Sequence, residues 1–531
     1  MRRLTVASLL GCALSVWGCR EEPAESLATV CEPGSTQACA CTNGATGAQS
    51  CAGDGSEFLA CVCEVQDAGA GDVTENSDAD SGAQQDAPAD APYGDDPDVP
   101  GPSEACDMAN PQGNTIGLLR CEEGVEPGYI LFSPNGSTHT WLMTRAGRVA
   151  HRWDHRSRPG LNLYLLDDGR LLRTRNTGMG PFQGGGAGGG LDLIEWDGTV
   201  TWSWEFADDS GRLHHDVEPM PDGSFMVIAW EYRSGQEAVD AGRDPNRIGE
   251  ENAVWAEQLL QIRPAGDDGV EIVWEWHVWD HLVQNYDSEL PNYAEPLDNP
   301  DKIDLNYGGQ GADWLHINAV FYNEDLDQLA VSVHNFSEIW VIDRQTGSIV
   351  YRWGNPAAYG AQGPQHLFLQ HDVRWIPQGH PGAGHLMAFS NGDRQTQRSA
   401  VVEWEPPVRD GGSYALVDGV YGPQEPVWTY QADGFYSSNI SGAYRLPGGN
   451  TLVCEGAEGR FFEVTQEGER IWEYLNPDHG TGISAQGEDP PRSQREQGFA
   501  NAVFRVTWIP EDHPGLSGRE LTPGAPIEET Q

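Results

Sequence analysis

The chain has 531 residues, with 81 acidic side chains against 31 basic ones and a formal net charge of −50. A surface with this much negative charge repels the phosphate backbone of DNA and RNA, which argues against nucleic acid as a partner. Lysine occurs once, at Lys302, which disfavours Schiff-base chemistry because that chemistry needs a lysine amine.

The N-terminus has the features of an export signal. Two arginines precede a mostly apolar run at residues 9–17, an order typical of a signal peptide. Gly18 precedes Cys19, as in a bacterial lipobox, although Trp17 is unusual at its position. We expect residues 1–18 to be removed and Cys19 to be lipidated, with plain secretion as the alternative. The predicted location is then the periplasm or cell surface, through a lipid anchor in the outer membrane.

Residues 19–64 have the composition of a small disulfide-rich module. The segment is rich in Gly and Thr and contains six cysteines: Cys31, Cys39, Cys41, Cys51, Cys61 and Cys63. An even number of cysteines in an exported module predicts three disulfides, whose pairing the sequence leaves open. A zinc site is the weaker reading, because the segment has no histidine and no C-x2-C pair.

Residues 65–105 are predicted to form a disordered acidic linker. Twelve acidic residues and no Lys or Arg lie between Glu64 and Glu104, among Ala, Pro and Gly. Such a segment cannot bury a core, so we expect an extended tether. Beyond it, Cys106 and Cys121 are expected to form a disulfide, and Cys454 to be a buried strand residue.

Residues 106–515 contain two interleaved repeats. In the first, an apolar run and a turn precede a second run that ends in Trp, and six copies occupy residues 140–153, 192–204, 258–276, 339–353, 401–428 and 462–472. In the second, two apolar strands flank a turn of the Pro-Asp-Gly type, and five copies occupy residues 164–172, 219–227, 320–333, 375–389 and 445–453. A sixth copy is divided between residues 503–510 and 128–133.

This arrangement predicts an all-β fold. Six units, with one divided between the ends of the domain, indicate a six-bladed β-propeller closed by N- and C-terminal strands. Residues 516–531 are predicted to be a flexible tail.

Three histidines share one position of the second repeat. His215 and His371 lie eight residues before the turn glycines Gly223 and Gly379, and strand matching places His316 at the same position. This position opens the strand that should line the channel, and Asn318 shares a strand face with His316. A single histidine in such a strand is usually a hydrogen-bonded core residue, but three in consecutive blades favour a common site. Residue His214 lacks this support and is expected at the surface or in a loop.

Two chemistries suit three converging imidazoles. They could bind zinc, although no Asp, Glu or Cys recurs at the same position. Alternatively, one imidazole attacks as a nucleophile while its neighbours donate hydrogen bonds to a transferring oxyanion. The spacing does not decide between them. The glycine-rich segment 184–190 lacks the ending of a phosphate loop and is interpreted as a flexible connection near the channel mouth.

In combination, four motifs resemble the bacterial arylsulfate sulfotransferase family. They occupy residues 313–318, 332–343, 351–356 and 370–372. The resemblance implies a six-bladed propeller that transfers a sulfuryl group from a phenolic sulfate ester to a phenolic acceptor. It further implies no cofactor and no need for the nucleotide donor PAPS, with a ping-pong mechanism through a sulfohistidine.

Carried over to this chain, the resemblance assigns roles to the histidines. His371 matches the nucleophile, and His316 the histidine that stabilises sulfuryl oxygens and protonates the leaving phenolate, assisted by Asn318. His215 matches a further site histidine, with His214 as the alternative.

The chain departs from the family pattern at His334. The family usually carries an arginine there, and a histidine lacks its fork geometry and permanent charge. Arg394 or Arg398 could replace that arginine. We expect Arg394, together with Ser441 at the shared repeat position, to contact substrate. The departure leaves open two other functions, an inactive propeller that binds a ligand or protein partner at the cell envelope, and a metal site used for hydrolysis.

Overall fold

The structure is a computed structural model. It describes the backbone of Thr36–Ala40 and Thr46–Ser50, residues 105–106, and residues 111–530 except 179, 181, 393–394, 410, 494–498 and 520. The chain divides into two compact units, Met1–Gly94 and Asp95–Gln531. In the first unit the two described strands pair antiparallel. The predicted lipidation site Cys19, the module disulfides and the predicted linker up to residue 104 lie outside the described residues.

The second unit is a six-bladed β-propeller, as the repeats predict. Each blade is an antiparallel sheet, and from blade 2 to blade 6 the first strand of each blade contacts the first strand of the next. From the innermost strand outward, blades 1 to 3 comprise Thr507–Ile509, Tyr129–Phe132, His139–Thr144 and Val149–Asp154; Pro159–Leu165, Leu171–Asn176, Gly189–Ile194 and Val200–Glu205; and Gly211–Pro219, Phe225–Ser234, Ala253–Ala265 and Gly269–His277. Blades 4 to 6 comprise Ile317–Asn323, Gln328–Val333, Glu338–Asp343 and Ile349–Trp353; His371–Trp375, Leu386–Ser390, Ala400–Trp404 and Trp428–Tyr430; and Gly442–Arg445, Thr451–Glu455, Arg460–Val464 and Arg470–Leu475.

The two sequence repeats correspond to the two halves of a blade. The Pro-Asp-Gly repeat forms the two inner strands, and the Trp repeat forms the two outer ones. In blade 1, Thr507–Ile509 pairs with Tyr129–Phe132. Blade 6 has a fifth, outermost strand, Gly117–Cys121, that the repeats do not predict. Cys121 in that strand forms a disulfide with Cys106, the pair expected from sequence.

Little else in the described part of the chain is regular structure. The one α-helix there, Gly235–Asp240, begins with a capping box between Ser234 and Glu237. Short 3₁₀ turns occur at Pro245–Arg247, Val278–His281, Pro296–Asp298, His334–Phe336, Pro356–Tyr359, Gly456–Glu458, Pro514–Leu516 and Ile527–Glu529. Two pairs of two-residue strands also occur. Leu282–Val283 pairs with Ile303–Asp304, and Leu416–Val417 pairs with Val420–Tyr421. None of the described helices has the length and apolar character to cross a membrane.

The segment after residue 520 packs on the propeller. Gly524 N donates to Val149 O at 2.8 Å. Ile527 is 0% exposed within an apolar cluster shared by blades 1 and 6. The sequence, which predicts a flexible tail here, does not reveal this packing.

The core lies between the blades and is rich in tryptophan. Trp141, Trp340, Trp404 and Trp472 are fully buried, and Trp353 of blade 4 stacks on Trp404 of blade 5 at 4.2 Å. An aromatic side chain of this size buries roughly 150–250 Å², which stabilises the fold by about 4–6 kcal/mol at ~25 cal/mol per Å². The free cysteine Cys454 is buried in a blade 6 strand, as predicted.

A buried ionic cluster lies where the inner strands meet. Arg505, just before Thr507–Ile509, pairs with Asp216 Oδ2 at 3.0 Å and with Asp372 Oδ1 at 3.1 Å. The aspartates also accept hydrogen bonds from blades 2, 4 and 6: Asn162 Nδ2 at 2.5 Å and Val320 N at 3.1 Å on Asp216, and Ala443 N at 3.0 Å on Asp372. Two carboxylates and one guanidinium thus connect the inner strands of all the blades.

Replacing Arg505 should destabilise the fold strongly. Arg505→Met leaves two buried carboxylates without their shared cation, and breaking a buried pair costs about 3–5 kcal/mol. Denaturant unfolding measures the change. The matched control is Arg120→Met, because Arg120 pairs with Glu122 while 46% exposed, and such surface pairs contribute about 0–1 kcal/mol. Equal losses in the two variants would contradict the role of the ionic cluster.

Candidate active site

Four imidazoles form a continuous row at the centre of blades 3 to 5. The ring centroids of His215 and His316 are 4.6 Å apart, those of His316 and His334 are 5.0 Å apart, and those of His334 and His371 are 5.2 Å apart. The structure therefore brings together all four histidines that the sequence analysis singles out. His215 and His371 are buried, whereas His316 and His334 are partly exposed.

Irregular inner strands place these side chains. The pairing register shifts between Leu213 and Val217 in blade 3, and similar shifts occur in blades 4 and 5. His215 and His316 have positive φ values of 53° and 56°. A β-bulge redirects side chains, and non-glycine residues in this left-handed region concentrate at functional sites. The shared repeat position is thus where the inner strands depart from regular geometry.

The ring of His371 is held in one tautomer by Asn391. The Nδ2 group of Asn391 donates to the carbonyls of Ser437 and Ile440 at 3.0 and 2.9 Å, so its Oδ1 faces His371 Nδ1 at 2.7 Å. Because an amide oxygen only accepts, Nδ1 carries the proton and Nε2 keeps its lone pair. Burial, and then the neighbouring His334, hold the pKa of His371 well below its ordinary value. His371 is therefore neutral, with its lone pair on Nε2.

His316 has the opposite electrostatic character. Its Nδ1 donates to Asp313 Oδ2 at 2.6 Å. Burial alone lowers the pKa of His316, but the charge of Asp313 and this hydrogen bond outweigh burial and raise it above 6.5. Two imidazoles of one row are thus tuned apart, one toward donating a proton and the other toward attack.

His334 lies between them and is oriented like His371. Its Nδ1 is 2.8 Å from Asn335 Oδ1, and Asn335 Nδ2 donates to Asp313 O at 2.9 Å. His334 Nδ1 therefore carries a proton, and its Nε2 can donate a hydrogen bond only when the ring is an imidazolium.

His215 is backed by a second, buried histidine. His214 Nδ1 lies 2.8 Å from His215 Nδ1, and His214 Nε2 lies 2.8 Å from Glu257 Oε2. The prediction that His214 lies at the surface is wrong, because the ring is 2% exposed and stacks on Trp230 at 4.1 Å. The strand bulge turns both histidines inward, which strict alternation along a strand does not predict.

Asn318 acts on the backbone that carries His371. Its Nδ2 donates to Gln370 O at 2.9 Å, and Gln370 Nε2 donates to Glu338 O at 2.9 Å and to Ser332 Oγ at 3.1 Å. These bonds fasten blade 5 to blade 4 one residue before His371. The contacts of Asn318 therefore orient the nucleophile candidate.

The two predicted substrate contacts have different outcomes. Ser441 is 0% exposed, and its hydroxyl donates to Ser437 Oγ at 2.8 Å. It belongs to the loop whose carbonyls hold Asn391, behind the row. Arg394 lies outside the described residues. Arg398 is 61% exposed and pairs with Asp433 at 3.0 Å.

The glycine-rich segment covers the His215 end of the row. His215 N donates to Gly186 O at 3.0 Å. Gly186 has a φ of 80°, and a Cβ there would overlap the His215 ring. The buried Arg212 fastens the segment by donating to the carbonyls of Gly178, Phe182 and Gly188 at 2.7, 3.3 and 3.0 Å. The segment is thus fastened within the site, whereas the sequence predicts only a flexible connection near the channel mouth.

An apolar cluster faces the imidazoles from the other blades. It contains Ile440, Ala502 and Phe504, with Leu161 packed against them. The Phe504 ring is 6.0 Å from His215 and 6.4 Å from His371. The site therefore combines basic rings on one side with an aromatic surface on the other. Among the described residues, no group of three or more His, Cys, Asp or Glu side chains is arranged to hold a metal ion.

Asp313 should control the charge of His316. In Asp313→Asn the lowering effect of burial persists without the carboxylate, so the pKa of His316 should fall below 6.5. An NMR titration of protein with labelled histidine measures this pKa. The control is Asp433→Asn, because Asp433 is exposed and pairs with Arg398. Because the pKa of His316 is raised in the folded state, its protonation stabilises the fold. This stabilisation is full below the unfolded pKa of about 6.5 and is lost as the pH rises through the folded pKa. An unchanged His316 pKa in Asp313→Asn contradicts the assignment.

A comparison with protein families finds a match within the propeller. The family model "Arylsulfotransferase (ASST)" matches residues 140–486. No curated protein matches the chain. Among solved structures, a protein of unknown function from Bacteroides caccae is 11% identical, covering 66% of this chain and 94% of its own, with a TM-score of 0.37. The Cps50 (Swd1) β-propeller domain of Myceliophteria thermophila is 12% identical, covering 69% of this chain and 88% of its own, with a TM-score of 0.34. Such low TM-scores carry no argument.

The family match covers most of the propeller. Residues 140–486 extend from blade 1 through blade 6 and include the four imidazoles of the row. The chain therefore belongs to the arylsulfotransferase family.

Proposed function

We propose that the protein transfers a sulfuryl group from a phenolic sulfate ester to a phenolic acceptor through a sulfohistidine at His371. The observation that carries the proposal is the hydrogen bond from His371 Nδ1 to Asn391 Oδ1 within the row of imidazoles. It leaves the Nε2 lone pair of a neutral ring for attack on sulfur. Family membership supports aryl sulfates and phenols as substrates.

In the first half-reaction, His371 Nε2 attacks sulfur and the bond from sulfur to the aryl oxygen breaks. The leaving phenolate takes the proton from His316 Nε2, because the raised pKa of His316 keeps that ring protonated. His334, as an imidazolium, donates to the sulfuryl oxygens. The products are a phenol, an N-sulfated His371 and a neutral His316.

In the second half-reaction, neutral His316 removes the proton of the acceptor phenol. The resulting phenolate oxygen attacks sulfur, and the sulfur–nitrogen bond breaks. His371 recovers its Nε2 lone pair and His316 its proton, so the site returns to its starting state. The aryl ring of each substrate lies against Phe504, whose ring is 6.0–6.4 Å from the two flanking histidines.

One feature favours a second candidate function, a propeller that binds its ligand without turnover. An imidazole at position 334 is charged only when protonated, whereas the guanidinium usual in the family is charged at every accessible pH. The second candidate therefore predicts binding of aryl sulfates without release of phenol.

The propeller should release nitrophenol from p-nitrophenyl sulfate when a phenol is present. His371→Asn keeps a polar group near the position of Nδ1 but removes the nucleophilic Nε2, so turnover should fall to the uncatalysed rate while the protein remains folded. The control is His366→Asn, because His366 stacks on Trp353 at 5.0 Å outside the row. Appreciable residual turnover in His371→Asn would show that His371 is not the nucleophile.

Restoring the family arginine should accelerate turnover at alkaline pH. His334→Arg places a permanent charge beside the sulfuryl oxygens, and one such donor contributes about 10²–10³ to kcat. We expect kcat at about pH 9 to rise by tenfold or more relative to wild type, with a smaller gain near pH 6. The measurement is the pH profile of kcat. Equal or lower kcat at both values of pH means that His334 does not supply charge to the transition state.

A further inference from the structure

A buried chain of hydrogen bonds ends at His215. Glu257, in the third strand of blade 3, is 0% exposed, and its Oε2 lies 2.8 Å from His214 Nε2. His214 Nδ1 lies 2.8 Å from His215 Nδ1. The other carboxyl oxygen, Oε1, accepts from Ile317 N at 2.9 Å. Hydrogen bonds thus connect one carboxyl group and two imidazoles through three ring nitrogens, and Gly186 packs against the face of the His215 ring beside the fourth, Nε2.

The position of one proton determines the donors along this chain. If Glu257 is a carboxylate, His214 donates to it from Nε2, His214 Nδ1 accepts from His215 Nδ1, and His215 Nε2 keeps a lone pair. If Glu257 is a neutral acid, it donates to His214 Nε2, His214 donates from Nδ1 to His215 Nδ1, and His215 Nε2 carries a proton. The two arrangements give His215 opposite roles at the site.

The surrounding charges favour the neutral acid. Burial, and then the negative charge of Asp313, raise the pKa of Glu257 well above its ordinary value. Burial, followed by the charge of His316, holds the pKa of His214 well below its own. Smaller effects act in both directions. The backbone hydrogen bonds from Ile317 and His316 and the charge of His316 lower the pKa of Glu257 without outweighing burial. Asp313 raises the pKa of His214, whereas Arg212 lowers it further. The pKa shifts of the adjacent Asp313 and His316 favour the charged forms of that pair. A second ion pair buried beside it would have a further desolvation cost.

We propose that Glu257 and His214 form a relay that fixes His215 as the tautomer with a proton on Nε2. The role of that proton rests on the proposed function: His215 donates to a sulfuryl oxygen as a neutral group. A third cationic ring beside His316 and His334 is costly, because like charges repel in a buried site. A fixed neutral N–H stabilises a developing oxyanion without that cost. Glu257 and His214 act through His215 and are therefore positioning residues.

The direct test is the ¹⁵N spectrum of histidine-labelled protein without substrate. The shifts distinguish protonated from unprotonated ring nitrogens, and we expect His215 to show a protonated Nε2 and an unprotonated Nδ1. Glu257→Gln should keep this pattern. Its amide oxygen must accept from Ile317 N, so its amide N–H donates to His214 Nε2, as the neutral acid does. Glu257→Leu removes the donor and should give a mixture of tautomers.

Turnover of p-nitrophenyl sulfate supplies the second readout. Glu257→Gln should retain kcat within about twofold, whereas Glu257→Leu should lose about 10²–10³ in kcat with little change in KM, the loss expected for one oxyanion donor. In Glu257→Asp the shorter side chain reaches His214 poorly, so its kcat should lie between those of Glu257→Gln and Glu257→Leu.

Two outcomes overturn the proposal: a wild-type His215 with its proton on Nδ1, or a reversed His215 pattern in Glu257→Gln. Both are read in the absence of substrate, so they decide the relay even if aryl sulfates are not turned over. They also decide it if Glu257→Leu does not fold, since the wild type and Glu257→Gln suffice.

Discussion

The ion pairs of Arg505 with Asp216 and Asp372 are the constraint on which the rest of the site depends. Each aspartate directly follows a site histidine, His215 or His371, in an irregular inner strand. Without Arg505, Asp216 would lose its cation and Asp372 would keep only Arg374, at 2.8 Å, so that the two deeply buried carboxylates would repel each other and oppose folding. Their attraction to one guanidinium holds the strands of blades 3 and 5 at a common distance from the C-terminal segment. Because the aspartate side chains bind this guanidinium, both histidines are set in a fixed relation to one another.

This scaffold lets neighbouring imidazoles carry out different chemistry. Asn391 leaves the lone pair of neutral His371 on Nε2, whereas Asp313 raises the pKa of His316 and so favours its cationic form. The ring of His334 lies between them, bonded to an asparagine in the same manner as His371. The difference therefore arises from hydrogen-bond partners and burial rather than from residue type, as in other sites where identical groups act as acid and base. The glycine cover and Phe504 enclose one end and one side of the row, which strengthens these electrostatic effects by limiting water.

Sequence reasoning predicted the parts of this structure that repeat. The blade number follows from the two patterns, and the positions of His215, His316 and His371 follow from counting within one pattern. The roles of Asn391, Glu257 and Arg505 were not predicted, because each contacts a partner 20 or more residues away in the sequence. Nothing in a single strand indicates such a pairing. Inner-strand irregularity explains the error at His214, which lacks the shared repeat position but is buried beside His215 where the strand bulges. Ser441 shares the histidine position in the repeat, but its hydroxyl is bonded within blade 6.

The most direct test of the account is to locate the covalent intermediate. Protein incubated with an aryl sulfate and no acceptor, then quenched at alkaline pH, should gain the mass of one sulfuryl group, and peptide mapping should place it on Nε2 of His371. His334 is the informative competitor, because it presents an Nε2 oriented by an asparagine in the same way. A sulfuryl group on His334, or released nitrophenol with no adduct on any histidine, would contradict the assignment of His371 as the nucleophile.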